Sequence, residues 1–431
     1  MLHHRGVNPS GLLAAVLLLA TASLGSAGAP AAASAVAPTF ITGPLPPPPP
    51  GSTQSWNLAA EPQIRSSPSG SFYISSENGL GAGTDAWLST DAGLAYQALA
   101  QPNAISSANA SGDTGVAPGG GDTDLAVAPV KNTATSNGQY NVYVASLTLG
   151  DVTVSLSQDG GLTWSSNELG ASVPGDDREW IAAYGPSTYY VSCHSLGTGD
   201  QVIVNEGSVV SGTPTSVQTY DAIDPAQTDI YLGTEEDNEI GNIAVDQASG
   251  RVYQVFAGCP PSPTAIATCP ELNTIYMAVG TPTGQTAGGE PILSFTDSIV
   301  YEDPNPNASP ANNFPNVAVD GAGNVYAAWS DDQNVYVSAS TDHGTDWSSP
   351  VRVNSGSAAT AIYPWMAAGA AGEVDMVYYA TPASANFQSC SSGTPGPYDL
   401  QVSWTRSGIK PSATPLRGCQ QAAENGNPRL G

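Results

Sequence analysis

One pattern recurs six times along this chain of 431 residues. Each copy has a short apolar run, a turn with Gly or Pro, and a second strand that carries an aromatic residue. The first apolar residue of each copy, here called the anchor, is Ile64, Leu125, Ile181, Ile243, Val317 or Met366. The second strand carries Tyr73, Tyr143, Tyr190, Tyr253 and Tyr326 at one register, and Asp375 replaces Tyr in the sixth copy. Self-similarity of this kind predicts one β-unit repeated many times.

A second pattern, Ser-x-Asp-x-Gly-x-Thr-Trp, is complete at residues 157–164 and has near copies at 340–347 and 89–96. The carboxylates of Asp91, Asp159 and Asp342 can accept backbone N–H groups across a tight turn. The Gly supplies a positive φ. Each unit is therefore predicted to have four strands, with the Asp hairpin between the third and the fourth. The prediction is an all-β, six-bladed β-propeller of four-stranded antiparallel blades over residues 56–420, with a tail at 421–431.

Charge and the N-terminal segment restrict where the chain acts and what it meets. The chain has 37 acidic and 10 basic residues, a formal net charge of −27, so nucleic acid and anionic membranes are not expected partners. Residues 1–35 have the basic start, apolar run and small residues of a secretory signal peptide. Residues 36–55 include a Pro run that predicts a disordered, stiff linker. We expect a secreted, extracellular monomer without a membrane span.

Five cysteines suit an exported protein with one or two disulfides. Cys259 and Cys269 bracket a Pro-rich loop and are expected to pair, and Cys390 and Cys419 can tie the C-terminal tail to the last repeat. Cys193 lies in a predicted strand, where a buried thiol is the expected role.

Acidic and aromatic residues precede several predicted first strands, at the face opposite the Asp hairpins. With the amides before the fifth copy, the candidates are Asp122 and Asp124 before the second copy, Asp176, Asp177, Arg178, Glu179 and Trp180 before the third, Glu235, Glu236, Asp237 and Glu239 before the fourth, Asn312 and Asn313 before the fifth, and Tyr363 and Trp365 before the sixth. Propeller geometry directs these positions toward one axial mouth. Paired carboxyls suit glycoside hydrolysis, oxygen clusters suit Ca²⁺, and acidic loops can also be merely solvated. The three interpretations stay open, and no motif requires a cofactor or indicates a zinc site.

The Asp hairpins on a six-fold repeat resemble the sialidase (neuraminidase) superfamily, whose repeats are called Asp-boxes or BNR repeats. The resemblance implies a sialidase-like exo-glycosidase acting on sialylated or other glycans. It implies a Tyr nucleophile, Tyr363, assisted by Glu235 or Glu236, and an Asp acid/base, Asp122 or Asp124. Arg178, held by Asp177, and Arg352 would grip a substrate carboxylate, and Trp180 and Trp365 would form a stacking platform.

That resemblance is incomplete at one position. The first arginine of the family lies in an Arg-Ile-Pro motif, whereas here Arg65 follows the Ile in EPQIRSSP. The family's Asp-boxes are structural, which is the role expected of Asp91, Asp159 and Asp342. The alternative function is a non-catalytic extracellular propeller that binds glycans or proteins, with a Ca²⁺ site at its acidic mouth.

Overall fold

The computed structural model describes residues 45–47, 61–79, 83–103, 119–134, 138–148, 150–167, 175–195, 201–223, 238–260, 271–310, 314–354 and 358–382 with side chains, and 60, 399–404 and 416–417 as backbone. The predicted signal peptide, most of the linker and the tail at 421–431 lie outside the described residues. Of the linker, Leu45, Pro46 and Pro47 are described, and the Trp87 indole donates a hydrogen bond of 2.8 Å to the Pro46 carbonyl. This part of the linker is therefore in contact with the folded unit.

Among the described residues, twenty-four strands form the fold, four to a sheet. Blade 1 is β1 (Ala60–Ser66), β2 (Phe72–Glu77), β3 (Asp85–Ser89) and β4 (Gln97–Ala98); blade 2 is β5 (Thr123–Val127), β6 (Val142–Leu147), β7 (Val152–Ser157) and β8 (Ser165–Asn167). Blade 3 is β9 (Asp176–Tyr184), β10 (Thr188–Ser195), β11 (Gln201–Val210) and β12 (Thr213–Asp221); blade 4 is β13 (Asn238–Val245), β14 (Val252–Gly258), β15 (Thr274–Gln285) and β16 (Pro291–Glu302). Blade 5 is β17 (Asn316–Val319), β18 (Val325–Ser330), β19 (Val335–Ser340) and β20 (Val351–Arg352); blade 6 is β21 (Thr360–Ala368), β22 (Val374–Thr381), β23 (Asp399–Trp404) and β24 (Leu416–Arg417).

Within each sheet the strands pair antiparallel in chain order. The prediction of an all-β propeller with four-stranded antiparallel blades is confirmed. The structure fully supports five blades, so the predicted count of six is not confirmed. Five blades are described with side chains in all four strands, whereas the two outer strands of blade 6 are described as backbone alone. No helix among the described residues is long and apolar enough to cross a membrane.

The predicted register of the second strands is confirmed. In every blade the aromatic position pairs with the residue after the anchor, as in Arg65 with Tyr73, Ala244 with Tyr253, and Ala367 with Asp375. Tyr143, Tyr190 and Tyr253 are fully buried. Each apolar cluster joins two successive blades, so the core of this protein lies between its sheets.

The Asp-boxes form the hairpins between the third and fourth strands, as predicted. In blade 2 the Ser157 hydroxyl donates to the Asp159 carboxylate (2.8 Å), which also accepts from the Thr163 backbone N–H (2.9 Å). Gly161 has a φ of +92°, and a Cβ there would lie 2.5 Å from Leu99 of blade 1. The box therefore has a structural role, because its hairpin packs closely against the preceding blade.

A repeated hydrogen bond fastens each of three blades to the next one. The residue before the anchor accepts from the backbone N–H of the next anchor: Asp124 from Ile181 (3.0 Å), Asn242 from Val317 (2.6 Å) and Asn316 from Met366 (2.8 Å). Blade 6 contacts blade 1 through the Arg65 guanidinium, which lies 5.1 Å from the centre of the Trp365 ring. Polar first-strand residues thus serve the joints between blades.

Candidate functional site at the axial mouth

A β-bulge interrupts the first strand of four blades, at the same place in three of them and one residue nearer the anchor in blade 4. Two residues oppose one on the second strand at Glu61–Pro62, Arg178–Glu179, Gly241–Asn242 and Tyr363–Pro364. Bulges redirect side chains and are frequent beside active sites. At this bulge Arg178 and Glu179, which are consecutive, both line one depression.

The position three residues before each anchor defines a ring around the mouth. Its members are Glu61, Asp122, Arg178, Ile240, Phe314 and Tyr363. Four of them, Glu61, Arg178, Phe314 and Tyr363, have φ values between 45° and 57°. Non-glycine residues rarely adopt this conformation, and such strain concentrates at functional sites. The ring is therefore the first candidate for chemistry.

Arg178, which is itself a member of the ring, joins blade 3 to blades 1 and 2. Its Nη1 lies 3.2 Å from Asp122 and 3.4 Å from Glu61, and its guanidinium lies 4.5 Å from the centre of the Phe314 ring. Desolvation lowers the pKa of Arg178, but the surrounding carboxylates, Asp122 and Glu61 first, raise it by more. Arg178 therefore stays charged and holds blades 1 and 2 to blade 3.

Carboxyls outnumber this cation, and burial shifts their pKa upward. Burial and the Asp122 charge raise the pKa of Glu61 to about 7, against the opposing effect of Arg178. Burial also raises the pKa of Glu239 to about 7 and, with Asp122, raises that of Glu77. Glu61 and Glu239 can thus hold or release a proton near neutral pH.

Glu179 is the most buried of the carboxyls that line the depression. It is 3% exposed, and neither carboxyl oxygen has a hydrogen-bond partner among the described residues. Burial and the nearby Asp122 raise its pKa well above the ordinary value. Glu179 lines a small depression of about 220 Å³, open solvent included, together with Glu61, Gln63, Asp122, Thr123, Arg178 and Trp180.

Aromatic rings pack beside this depression. The centre of the Trp180 ring lies 5.6 Å from that of Trp365 and 6.1 Å from that of Phe314. Trp180 and Trp365, predicted as a stacking platform, are therefore in contact with each other, and both are partly buried. The Trp180 indole Nε1 has no hydrogen-bond partner among the described residues.

Asp124, a predicted acid/base candidate, has a different environment from Asp122. It is 1% exposed and accepts hydrogen bonds from Arg65 (2.8 Å) and from the backbone of Leu125 (2.8 Å) and Ile181 (3.0 Å). Because Asn242 and Asn316 make the same bond in other blades, Asp124 fits a structural role. Asp122 lies nearer the depression and pairs with Arg178.

Arg178 and Arg352, which were predicted to bind a substrate carboxylate, have different partners from those expected. Asp177 accepts from the backbone N–H of Arg178 (2.9 Å), whereas Glu61 and Asp122 hold the guanidinium. Arg352 lies in the outermost strand of blade 5, and its Nε donates to the Asn354 carbonyl (2.9 Å). First strands line the axis, so the described residues do not bring Arg352 to Arg178.

Tyr363 is in the ring position of blade 6, with 43% of its surface exposed, and its ring is edge-on to Tyr379 at 6.5 Å.

Glu235, Glu236, Cys269, Cys390 and Cys419 lie outside the described residues. Cys259 is disulfide-bonded to a partner outside them, so its pairing with Cys269 stays a prediction. Cys193 is free and buried, as expected.

Sequence reasoning missed Glu61 and Glu77 as site residues. It named Glu179 and Glu239 among the acidic residues at the mouth but gave them no role. The burial of these carboxyls depends on neighbouring blades. Glu61 could have been found, because it lies three residues before its anchor, as Asp122 and Arg178 do before theirs.

A group of carboxyls at the mouth could also hold a cation. One oxygen each from Glu61, Glu77 and Asp122 lies within 4.8 Å of the others. Three carboxylates suit a hard cation such as Ca²⁺. Arg178 already contacts two of the three.

No family model and no curated protein matches the chain. Among solved structures it is similar to an α-L-arabinofuranosidase of Fusarium graminearum in complex with an iminosugar inhibitor (12% identity, 83% of this chain, 95% of that chain, TM-score 0.48). It is also similar to an ulvan lyase (9% identity, 80% of each chain, TM-score 0.49) and to a Hadza microbial sialidase (12% identity, 75% of this chain, 64% of that chain, TM-score 0.41). At such identities and TM-scores these similarities carry no argument about the chemistry of this chain.

Proposed function

We propose that this protein is a glycan-active propeller that hydrolyses glycosidic bonds at its axial mouth. The observation that carries the proposal is a pair of carboxyls in unlike states around one guanidinium. Glu61 has a pKa of about 7 and can donate a proton, while Asp122 is paired with Arg178 as a carboxylate. Glycosidases need one carboxylic acid to protonate the leaving oxygen and one carboxylate to act opposite it.

The separation of the two groups favours the retaining form of this chemistry. Oxygens of Glu61 and Asp122 lie within 4.8 Å of each other. Retaining enzymes have carboxyls about 5 Å apart, and inverting enzymes have them about 6.5–9.5 Å apart to admit a water. An exo-acting enzyme would bring the end of a terminal sugar to these two carboxyls. Trp180 would support the apolar face of that sugar.

The test is turnover of a panel of fluorogenic aryl glycosides across pH 5–9. We expect activity to fall as pH rises through about 7, since Glu61 then loses the proton that it donates. Glu61→Gln should lower kcat about 100-fold or more. The matched control is Glu373→Gln, because Glu373 is exposed on the turn between β21 and β22 and should not affect turnover. Unchanged kcat in Glu61→Gln would reject Glu61 as the acid.

A sialidase is the finer form of this proposal. Tyr363 in the mouth ring supports it, since a phenol suits attack on an anionic sugar. The arginines weaken it, because Arg178 is engaged by Glu61 and Asp122 and Arg352 lies on an outer strand. Sialoside turnover that is lost in Tyr363→Phe would establish it.

The second candidate is a non-catalytic propeller whose mouth binds Ca²⁺, and the group of Glu61, Glu77 and Asp122 favours it. In that case no glycoside is turned over, and chelation with EDTA lowers the melting temperature of the wild type but not of Glu77→Gln.

Export remains part of the proposal and is supported by the leader-like sequence at 1–35. A mature N terminus after residue 27 in secreted protein would test it.

A further inference from the structure

We infer that the sugar bound at this mouth carries an amino group, and that its ammonium lies against Glu179 inside the ring of carboxyls around Arg178. The inference rests on the proposed function and adds the substrate class to it. Four observations carry it: the charge of the mouth, the engagement of both nearby arginines, the unpartnered Glu179, and the adjacent indole.

The mouth has a large excess of carboxyls over cations, and four successive blades contribute these carboxyls. The carboxyls that interact electrostatically with Arg178 or Asp122 are Glu61, Glu77, Asp177, Glu179 and Glu239. Arg178 is the one cation among the described residues that line the depression. Such a field attracts cationic ligands and repels anionic sugars, and the chain's net charge of −27 adds to it.

Both arginines near the mouth are already engaged. Arg178 uses Nη1 for Asp122 and Glu61. Arg65 uses Nη2 for the buried Asp124, and its guanidinium packs on Trp365. A substrate carboxylate would meet guanidiniums whose charge is already shared with Glu61, Asp122 and Asp124, so an acidic sugar gains little here.

Glu179 needs a donor that the described residues do not supply. It is 3% exposed, both of its oxygens lack hydrogen-bond partners, and it lines the depression. An unpaired buried polar group costs free energy, and a ligand N–H group would relieve that cost. An ammonium offers three donors and a charge, which makes the strongest class of hydrogen bond to a carboxylate.

Trp180 favours an organic cation over a metal ion. Its partly buried ring lines the same depression and can stabilise an ammonium through its π face. A divalent metal would instead draw on Glu61, Glu77 and Asp122, where Arg178 already supplies positive charge to two of the three. An ammonium at Glu179 leaves the Arg178 pairs intact.

The proton balance of binding gives a direct signature. Burial raises the pKa of the Glu179 carboxyl, and a bound ammonium would lower that pKa again. A charged ammonium that pairs with the carboxylate therefore displaces carboxyl protons to the buffer. Net proton release on binding is therefore expected at pH 6. A neutral sugar releases none.

The experiment is calorimetry at pH 6 in two buffers of different ionisation enthalpy. The probes are oligosaccharides of glucosamine and galactosamine with free amino groups, and the N-acetylated forms of each. We expect the free amines to bind about tenfold tighter than the N-acetylated forms and to release protons. Glu179→Gln should abolish both the preference and the proton release, and Glu373→Gln should keep them.

Glu61→Gln, which changes a partly exposed residue, provides a second variant if Glu179→Gln fails to fold, and it should weaken the preference for the free amine. Equal or tighter binding of the N-acetylated sugars would overturn the inference, as would Ca²⁺ binding that is lost in Glu61→Gln without any amine preference. Turnover of neutral glycosides without amine preference would reject the inference and leave the proposed function. A preference for free amines without turnover of any glycoside would reject the proposed function and leave the inference about amine binding.

Discussion

The two ends of this propeller use carboxyls in opposite ways. At the Asp-box end, Asp159 accepts from Ser157 and Thr163, and hydrogen bonds lower its pKa despite partial burial. At the mouth, burial raises the pKa of Glu61 and Glu239 to about 7, and Glu179 has no partner among the described residues. The comparison teaches that donors, not residue type, decide the role of a carboxyl. Satisfied carboxylates hold the fold, and those short of donors are available for a ligand.

The largest expected effect is on the free energy of unfolding and comes from substitution of Asp124. The sequence predicted a place for Asp124 at the mouth, but its contacts join neighbouring blades. Asp124→Ala should cost about 3 kcal/mol of unfolding free energy, because it leaves Arg65 and two backbone N–H groups without their acceptor. Urea denaturation measures this. Asp124→Asn, which resembles Asn242 and Asn316, should cost less and keep activity. An inactive but fully stable Asp124→Asn would instead make Asp124 catalytic.

Substitution of Asp122 should instead lower activity much more than stability. Asp122→Asn is expected to lower kcat about 100-fold, or about 2.7 kcal/mol, because it removes the carboxylate that opposes Glu61. Its cost in stability should stay near 1 kcal/mol, since the pair with Arg178 is partly solvated. Kinetics and melting of the same preparation give both numbers. A stability loss as large as that of Asp124→Ala would mean that the two residues share one structural role.

The Asp-box should affect stability alone. Asp159→Ala is expected to cost about 1–2 kcal/mol, because a partly exposed carboxylate loses hydrogen bonds to Ser157 and Thr163. Thermal unfolding measures the loss, and kcat at a temperature well below the transition should equal that of the wild type. A drop in kcat there would contradict the division between the two ends.

The two kinds of carboxyl should shape stability against pH in opposite directions. Glu61, Asp176, Glu206 and Glu239 have pKa values raised to about 7, so the folded state holds their protons when the unfolded state has lost them. Their contribution is fully present below about pH 4.5 and is lost as pH rises through about 7. The box carboxylates have lowered pKa values, so their contribution is lost as pH falls below about 4.

Stability should therefore be greatest near pH 4.5 and decline toward pH 7. Glu206→Gln should flatten this decline slightly, because Glu206 is fully buried and Gln can still accept from the Tyr220 hydroxyl (3.0 Å). Melting temperatures between pH 4 and pH 8 check the shape of the curve. A wild-type melting temperature that rises from pH 5 to pH 8 would contradict the raised pKa values.

The fold was largely predictable because its signals are local and repeated. The anchor spacing and the register of Tyr73, Tyr143 and Tyr253 follow from strand periodicity, and the pairing confirms them. Asp159 and Gly161 specify their hairpin by turn chemistry within a few residues. The predicted linker was the exception, since the contact of Pro46 with Trp87 joins distant parts of the chain.

The site was less predictable because its residues come from separate blades. The sequence indicated Asp122, Arg178 and Tyr363 by their position before an anchor. It could not separate Asp122 from Asp124, because both are acidic and lie in one short stretch. The bulge that brings both Arg178 and Glu179 to one depression has no distinct local signal.

The sequence by itself determined the repeated four-stranded unit, the structural Asp-boxes and the end of the molecule at which charged residues meet. Periodicity and turn chemistry act over a few residues, so one chain segment carries that information. The tertiary structure alone decided which carboxyls are paired, which are desolvated and which cation they share. Those properties depend on distance and burial, and packing of one blade against another sets both: Arg178 of blade 3 meets Glu61 of blade 1 and Asp122 of blade 2, while Glu179 beside it is left without a donor.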